Sequence, residues 1–246
     1  VPVGGPALAT PGFRNAPSLK YLRANPSFFF DDEGTPTGGF DRDGRADSLA
    51  EQARRPFLAP HEMANASVAD VVAKVSAASY AADFRAAFGD DIFTRPDEAF
   101  ARMTFALQRY QLEDTAEFAP YSSKYDKFLA GTAQLSAQEL RGLALFNDPT
   151  RGNCAGCHPS GRGADGSPPL FTDFTYDNLG APRNDAIPAN ADPGYYDLGI
   201  CGPDRTDVVA VRPDLCGAFK VPTLRNIALT APYFHNGKFA TLRETL

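Results

Sequence analysis

The chain has 246 residues, a net charge of −6, 43% hydrophobic residues, 21 glycines, 21 prolines, four cysteines and no tryptophan. The acidic balance argues against nucleic acid or an anionic membrane surface as partner, and no apolar stretch approaches the roughly 18 residues of a membrane span. The length suffices for one large or two small cored domains, while the glycine and proline content predicts much turn and irregular loop.

Residues 1–45 carry no helical period and read as a long ordered loop, with Phe28, Phe29, Phe30 and Phe40 around Gly34, Gly38 and Gly39 marking a folded excursion. Ser48 to Arg55 reads as a short helix ended by Pro56, and Ser67 with Asp70 resembles a capping box for a helix through Val71, Val72 and Val75. A helix at Ala81 to Phe88 stops at Gly89. Pro96 then opens the strongest helix, to about Leu112, with Phe100, Met103, Leu107 and Tyr110 at helical spacing. A brief helix covers 124–130, and Ser136 with Glu139 caps one carrying Leu140, Leu143 and Phe146. The following sixty or so residues lack regularity but hold many aromatics, so they read as ordered loop rather than disorder. No strand pair is predicted. The class is mostly α with long loops, split near residue 133. Thr241 and Glu244 form another capping box so close to Leu246 that the helix they begin is expected to continue past the end of this sequence.

The chemistry concentrates in Cys154-Ala155-Gly156-Cys157-His158. Cys-x-x-Cys-His attaches haem c because two thiols add across the vinyl groups while the adjacent imidazole is held against the iron. Two rivals stay open: a thioredoxin-like pair, which would want a βαβ setting, and a zinc site recruiting Cys201 and Cys216. Thioether attachment places the chain in the bacterial periplasm or an equivalent compartment, where Cys201 and Cys216 can oxidise. That disulfide would close a loop of about 15 residues, worth about 3 kcal/mol; the alternative is two buried thiols. The sixth position of the iron has few candidates here, namely His61, His235, Met63, Met103 and several tyrosines, and Met103 reads as core.

Further residues carry a family resemblance: Asn15-Ala16-Pro17-Ser18-Leu19, Asp43-Gly44-Arg45-Ala46, Glu51-Gln52-Ala53, Glu62-Met63, Leu143-Ala144-Leu145-Phe146 and the run from Val221 to Gly237. Together with the haem motif, these make the chain resemble the bacterial di-haem cytochrome c peroxidases and their MauG-type relatives. The resemblance implies two cytochrome c-like domains, here 1–132 and 133–246, each with one haem. The N-terminal haem would react with hydrogen peroxide, and the haem of Cys154, Cys157 and His158 would relay electrons. The peroxide-reactive haem needs a Cys-x-x-Cys-His of its own, which would precede residue 1, so a fragment incomplete at both ends is expected, the alternative being a mono-haem derivative. The sixth ligand of the His158 haem is expected about three residues past Leu246.

Residue by residue, the resemblance assigns Glu62 and Gln52 to the peroxidatic pocket, where a carboxylate moves a proton. Taken alone, they read as a turn carboxylate and a helix-surface amide. It assigns Asn15, Thr230 and Pro232 to a calcium ion, and Arg225 and His235 to positions near the haems. Two departures stand out. Arg42 occupies the place where the family often has a tryptophan, and Val3 to Leu8 contains no histidine that could block the N-terminal haem. The implied function is periplasmic reduction of hydrogen peroxide with electrons from a small protein, a cytochrome c or cupredoxin, with a homodimer among the assemblies allowed and no nucleic acid or membrane partner. The alternatives are MauG-like oxidation of aromatic residues in a partner protein and a non-enzymatic electron-transfer cytochrome.

Overall fold

The computed structural model describes residues 2–246. In chain order come β1 (Val3–Gly4), β2 (Thr10–Pro11), β3 (Phe29–Phe30) and β4 (Pro36–Thr37). Seven helices follow: α1 (Leu49–Leu58), α2 (Val68–Ser76), α3 (Ala81–Phe88), α4 (Pro96–Glu113), α5 (Thr115–Phe118), α6 (Lys124–Leu129) and α7 (Ala137–Asn147). After α7 only β5 (Tyr176–Asp177), β6 (Phe219–Lys220) and short 3₁₀ turns interrupt the loops, so the class is mostly α with long loops. No helix among the described residues is long and apolar enough to cross a membrane.

The helix-start signals form, the box at Ser67–Asp70 by its serine half alone. Ser67 Oγ accepts from Asp70 N at 3.1 Å, and both halves of the capping box form at Ser136–Glu139 and at Thr241–Glu244. Gly89 stops α3 at a φ of 105°, which a side chain would resist. Three expectations are corrected. Pro56 lies inside α1 rather than ending it. The last turn is held from outside, by Met63 N on Pro56 O at 3.0 Å and Asn65 Nδ2 on Phe57 O at 2.7 Å, so the N–H that proline lacks is not decisive. The stripe on α4 is only half core: Phe100 is fully buried, but Leu107 and Tyr110 are 37% and 54% exposed. Strand pairs do exist, as three two-residue antiparallel ladders. They join segments far apart in sequence or fold back within loops, with Tyr176 opposite Lys220, so no alternating pattern announces them.

α1 and α2 pack on α4, around Val71, Val72, Val75, Ile92 and Phe100 with Phe57, Phe84 and Met103 at the margin. The N-terminal loop is laced to the loops after α7. Tyr176 Oη donates to Gly38 O at 2.6 Å, and Arg205 Nη1 to the carbonyls of Asp43 and Gly44 at 3.0 and 3.1 Å. Asp43 is fully buried and takes both Arg14 at 2.6 Å and Arg45 at 3.0 Å, so the Asp-Gly-Arg run is a charged clamp. Burial alone would raise the Asp43 pKa, but the two guanidinium groups outweigh it and hold it below the usual value.

Cys201 and Cys216 are disulfide-bonded, with Cα atoms 5.0 Å apart, beside the buried Ile200, Val208 and Ala218. Replacing both cysteines with serine is expected to lower unfolding stability by about 3 kcal/mol, read from the guanidinium midpoint. An unchanged midpoint would show that the surrounding packing, not the crosslink, holds this loop.

Candidate haem-binding site

α7 delivers the chain to the motif. Beyond its end, Asp148 caps a turn by accepting from Thr150 N at 2.8 Å. Asn153 takes a left-handed conformation that its short amide tolerates, and the 3₁₀ turn Cys154–Gly156 follows. His158 N donates to Cys154 O at 2.9 Å, so both thiols and the imidazole belong to one turn. His158 Nδ1 lies 2.7 Å from Phe171 O. A carbonyl only accepts, so Nδ1 carries the proton and Nε2 keeps its lone pair for an iron. Phe171 holds a positive φ of 55°, uncommon for a phenylalanine, with its ring against Tyr125 and Phe146.

The motif opens on a cavity of about 1000 Å³, at the large end of ligand sites. Phe146, Leu170, Phe174, Leu179, Val221 and Leu224 give it an apolar lining. Cys154 and Cys157 are free thiols. Cys157 Sγ donates to Asp177 Oδ2 at 3.2 Å; burial and then that carboxylate push its pKa up to about 11, so it remains a neutral thiol at pH 7. A pair of available thiols, an imidazole nitrogen kept bare and a wide apolar chamber fit haem c. The rivals fail on the same geometry. Cys201 and Cys216 are consumed by their disulfide, and no group of three or more potential metal ligands forms among the described residues. The motif also sits on a turn after a helix rather than in a βαβ unit.

Arg225 and His235 both line the cavity. Arg225 is buried, with Nη1 and Nη2 on Asp126 at 3.0 and 2.8 Å and Nε on Pro169 O at 2.7 Å. The ring of Tyr121 packs on its guanidinium at 4.5 Å. His235 stacks on Phe219 with ring centroids 3.7 Å apart, and burial pushes its pKa down to about 4, leaving it neutral. Asn15, Thr230 and Pro232 line the cavity as well. The Asn15 side-chain amide donates to Pro232 O, and Asn15 N donates to His235 O at 2.6 Å. Gln52 and Glu62 do not line it. Gln52 Nε2 reaches Asp41 Oδ1 at 3.4 Å, and Glu62 projects an exposed side chain from the turn after α1. Of the other iron-ligand candidates, Met63 is exposed, His61 packs edge-on to Phe13, and Met103 lies against the helical core.

Residues 3–134, more than half the chain, match the family model described as di-haem cytochrome c peroxidase. The chain belongs to that family. It is 37% identical over 239 residues to the methylamine utilization protein MauG of Paracoccus denitrificans, covering 96% of this chain and 59% of that protein. It is 36% identical to a cytochrome c551 peroxidase of Nitrosomonas europaea, covering 83% of this chain and 52% of that one. In structure it superposes on the diheme peroxidase BthA of Burkholderia thailandensis with a TM-score of 0.90 and 40% identity, over 100% of this chain and 59% of that one. The chain thus spans between half and three-fifths of the length of these relatives. Membership implies haem c as the cofactor of the Cys154–His158 motif.

Sequence reasoning missed three parts of the site. The Phe171 carbonyl that fixes the His158 tautomer carries no side-chain signal. Asp177 reaches Cys157 only because β5 pairs with β6 across more than forty residues. Asp126 carries no signal of its own within the brief helix 124–130, yet its carboxylate both caps α6 and pairs with Arg225.

Proposed function

We propose that the full-length protein reduces hydrogen peroxide to water in the periplasm with electrons from a small redox protein, a cytochrome c or cupredoxin: H2O2 + 2 H+ + 2 e− gives 2 H2O. Two cytochrome c-like domains, 1–132 and 133–246, would each serve one haem. The observation that carries this reading is the pinned His158 beside two free thiols on the large cavity, in a chain of the di-haem peroxidase family.

Haem c supplies iron that exchanges single electrons with donor and peroxide. Cys154 and Cys157 would form its thioether links. His158 would bind the iron through Nε2, its ring and tautomer held by Phe171 O. Arg225 and Asp126 brace the cavity wall, and neutral His235 packs beside it without adding charge. On the N-terminal side, Glu62 moves a proton from one peroxide oxygen to the other, with Gln52 as a neutral hydrogen-bonding neighbour. Asn15, Thr230 and Pro232 would hold calcium, the first through its side-chain oxygen and the other two through their carbonyls. Asn15 already touches Pro232 O, and a half-turn of its amide presents oxygen in place of nitrogen.

The test is steady-state turnover of the full-length protein with hydrogen peroxide and reduced cytochrome c. Two donors oxidised per peroxide are expected. Absence of turnover overturns the peroxidase reading. If aromatic residues of a partner protein are then oxidised by peroxide, the MauG-like reading replaces it; if nothing reacts, an electron-transfer cytochrome does. Calcium is tested by elemental analysis after loading and desalting: stoichiometric retention in the parent and loss in Asn15→Leu are expected, and no retention in the parent removes the site.

A further inference from the structure

Arg42 is a cation without a counter-ion, on the wall of the cavity that the haem motif opens onto. Its Nε donates to Asn15 O at 2.7 Å and Nη2 to Ala16 O at 3.3 Å. Its Nη1 makes no hydrogen bond among the described residues, and no carboxylate there lies within ion-pair distance. The carboxylates nearby are taken. Asp43 holds Arg14 and Arg45, Asp197 holds Arg14 at 2.7 Å, and Asp41 holds Arg45 at 3.2 Å. The other cations on the cavity wall are committed too. Lys220 Nζ binds Asn25 Oδ1 and Gly39 O, Arg183 binds the carbonyls of Asn190, Asp192 and Pro193, Arg225 is paired with Asp126, and Lys20 with Glu117.

Arg42 is half-buried, so a group filling the chamber would cover its guanidinium, and a charge covered without a partner is costly. Burial, with the like charge of Arg14, lowers the pKa of Arg42 to about 10 against a smaller upward pull from Asp41, which still leaves it charged at neutral pH. The guanidinium therefore stays a cation and offers a free pair of N–H donors toward an apolar chamber. Those donors match a carboxylate, and the cofactor implied for the chamber carries two.

We propose that Arg42 is the counter-ion of a haem carboxylate in the cavity of Cys154, Cys157 and His158, and that its charge raises the reduction potential of that haem. A fixed positive charge favours the state holding one more electron. Acting over on the order of 10 Å at an effective dielectric near 20, one unit charge changes the reduction equilibrium about tenfold. The inference rests on haem attachment at this motif, and its failure reads differently from failure of that premise.

The experiment is a potentiometric titration of the full-length haem-loaded protein, followed by the spectrum of the haem attached at Cys154 and Cys157. Arg42→Gln is expected to lower the reduction equilibrium constant about tenfold (~59 mV), and Arg42→Lys to restore most of it. Arg42→Trp removes the charge with a side chain the family accommodates at this place, so it reads the same loss should the glutamine variant fold poorly. The shift is expected to persist after calcium chelation. A parent-like potential in either uncharged variant, with full covalent haem, overturns the proposal, as does lysine behaving like glutamine. Absence of covalent haem in the parent would instead sink the reading of the motif.

Discussion

Glu62→Gln is expected to slow the reaction of the full-length haem-loaded protein with hydrogen peroxide by about 10²–10⁴-fold, the usual contribution of a positioned proton-transfer group. The substitution keeps the size of the side chain and removes only its capacity to carry a proton. Its structural cost is small. The hydrogen bonds found at this residue are backbone bonds, from Gly5 N to Glu62 O at 2.7 Å and from Glu62 N to Ala59 O at 3.0 Å, and the side chain is exposed. Stability is expected to stay within about 0.5 kcal/mol, as for most surface changes. Stopped-flow mixing with peroxide reads the rate and a denaturant curve reads the fold. A parent rate in the variant removes Glu62 from the mechanism.

Asp126→Ala is expected to destabilise the protein by about 3–5 kcal/mol, because it leaves the buried Arg225 guanidinium without its carboxylate. The pair is bidentate, with side chains 4% and 8% exposed, and Asp126 also caps α6 through Ser123. The pH dependence follows. Burial raises the Asp126 pKa, but the hydrogen bonds from Arg225 and Ser123 outweigh it, so the folded value lies below the ordinary 3.8. A depressed carboxylate binds fewer protons folded than unfolded, so its stabilisation is fully present above 3.8 and is lost as pH falls through the folded value. Asp43 acts in the same sense. Parent stability should therefore drop steeply below about pH 4, and Asp126→Asn should flatten that slope. An equal slope in parent and variant would show that Asp126 is not among the groups driving acid unfolding.

Legibility in the sequence followed the range of the interactions. Ser67, Ser136, Thr241 and Gly89 act on backbone groups within a few residues, so helix starts and stops could be read locally. Pro56 was misread because its compensation comes from Met63 and Asn65, beyond the window in which a proline looks like a stop. Leu107 and Tyr110 carry the helical period of a buried face but stay exposed, outside the cluster around Phe100. Periodicity shows which face is apolar, not what covers it.

The same division holds at the site. The haem-attachment motif is written in five consecutive residues, because vinyl spacing and iron ligation demand both thiols and the imidazole on one turn. The sequence by itself therefore pointed to the cofactor chemistry and the helical class, while the disulfide that removes the zinc alternative was decided by the fold. Tertiary structure alone decided the rest: the Phe171 carbonyl that leaves His158 Nε2 bare, the Asp126 carboxylate under Arg225, and the isolation of Arg42 among carboxylates already claimed. Each of these depends on which acceptor a donor finds once the long loops have packed back on the motif, on α6 and on one another. Burial sets their strength, and burial belongs to the folded chain rather than to any local stretch of it.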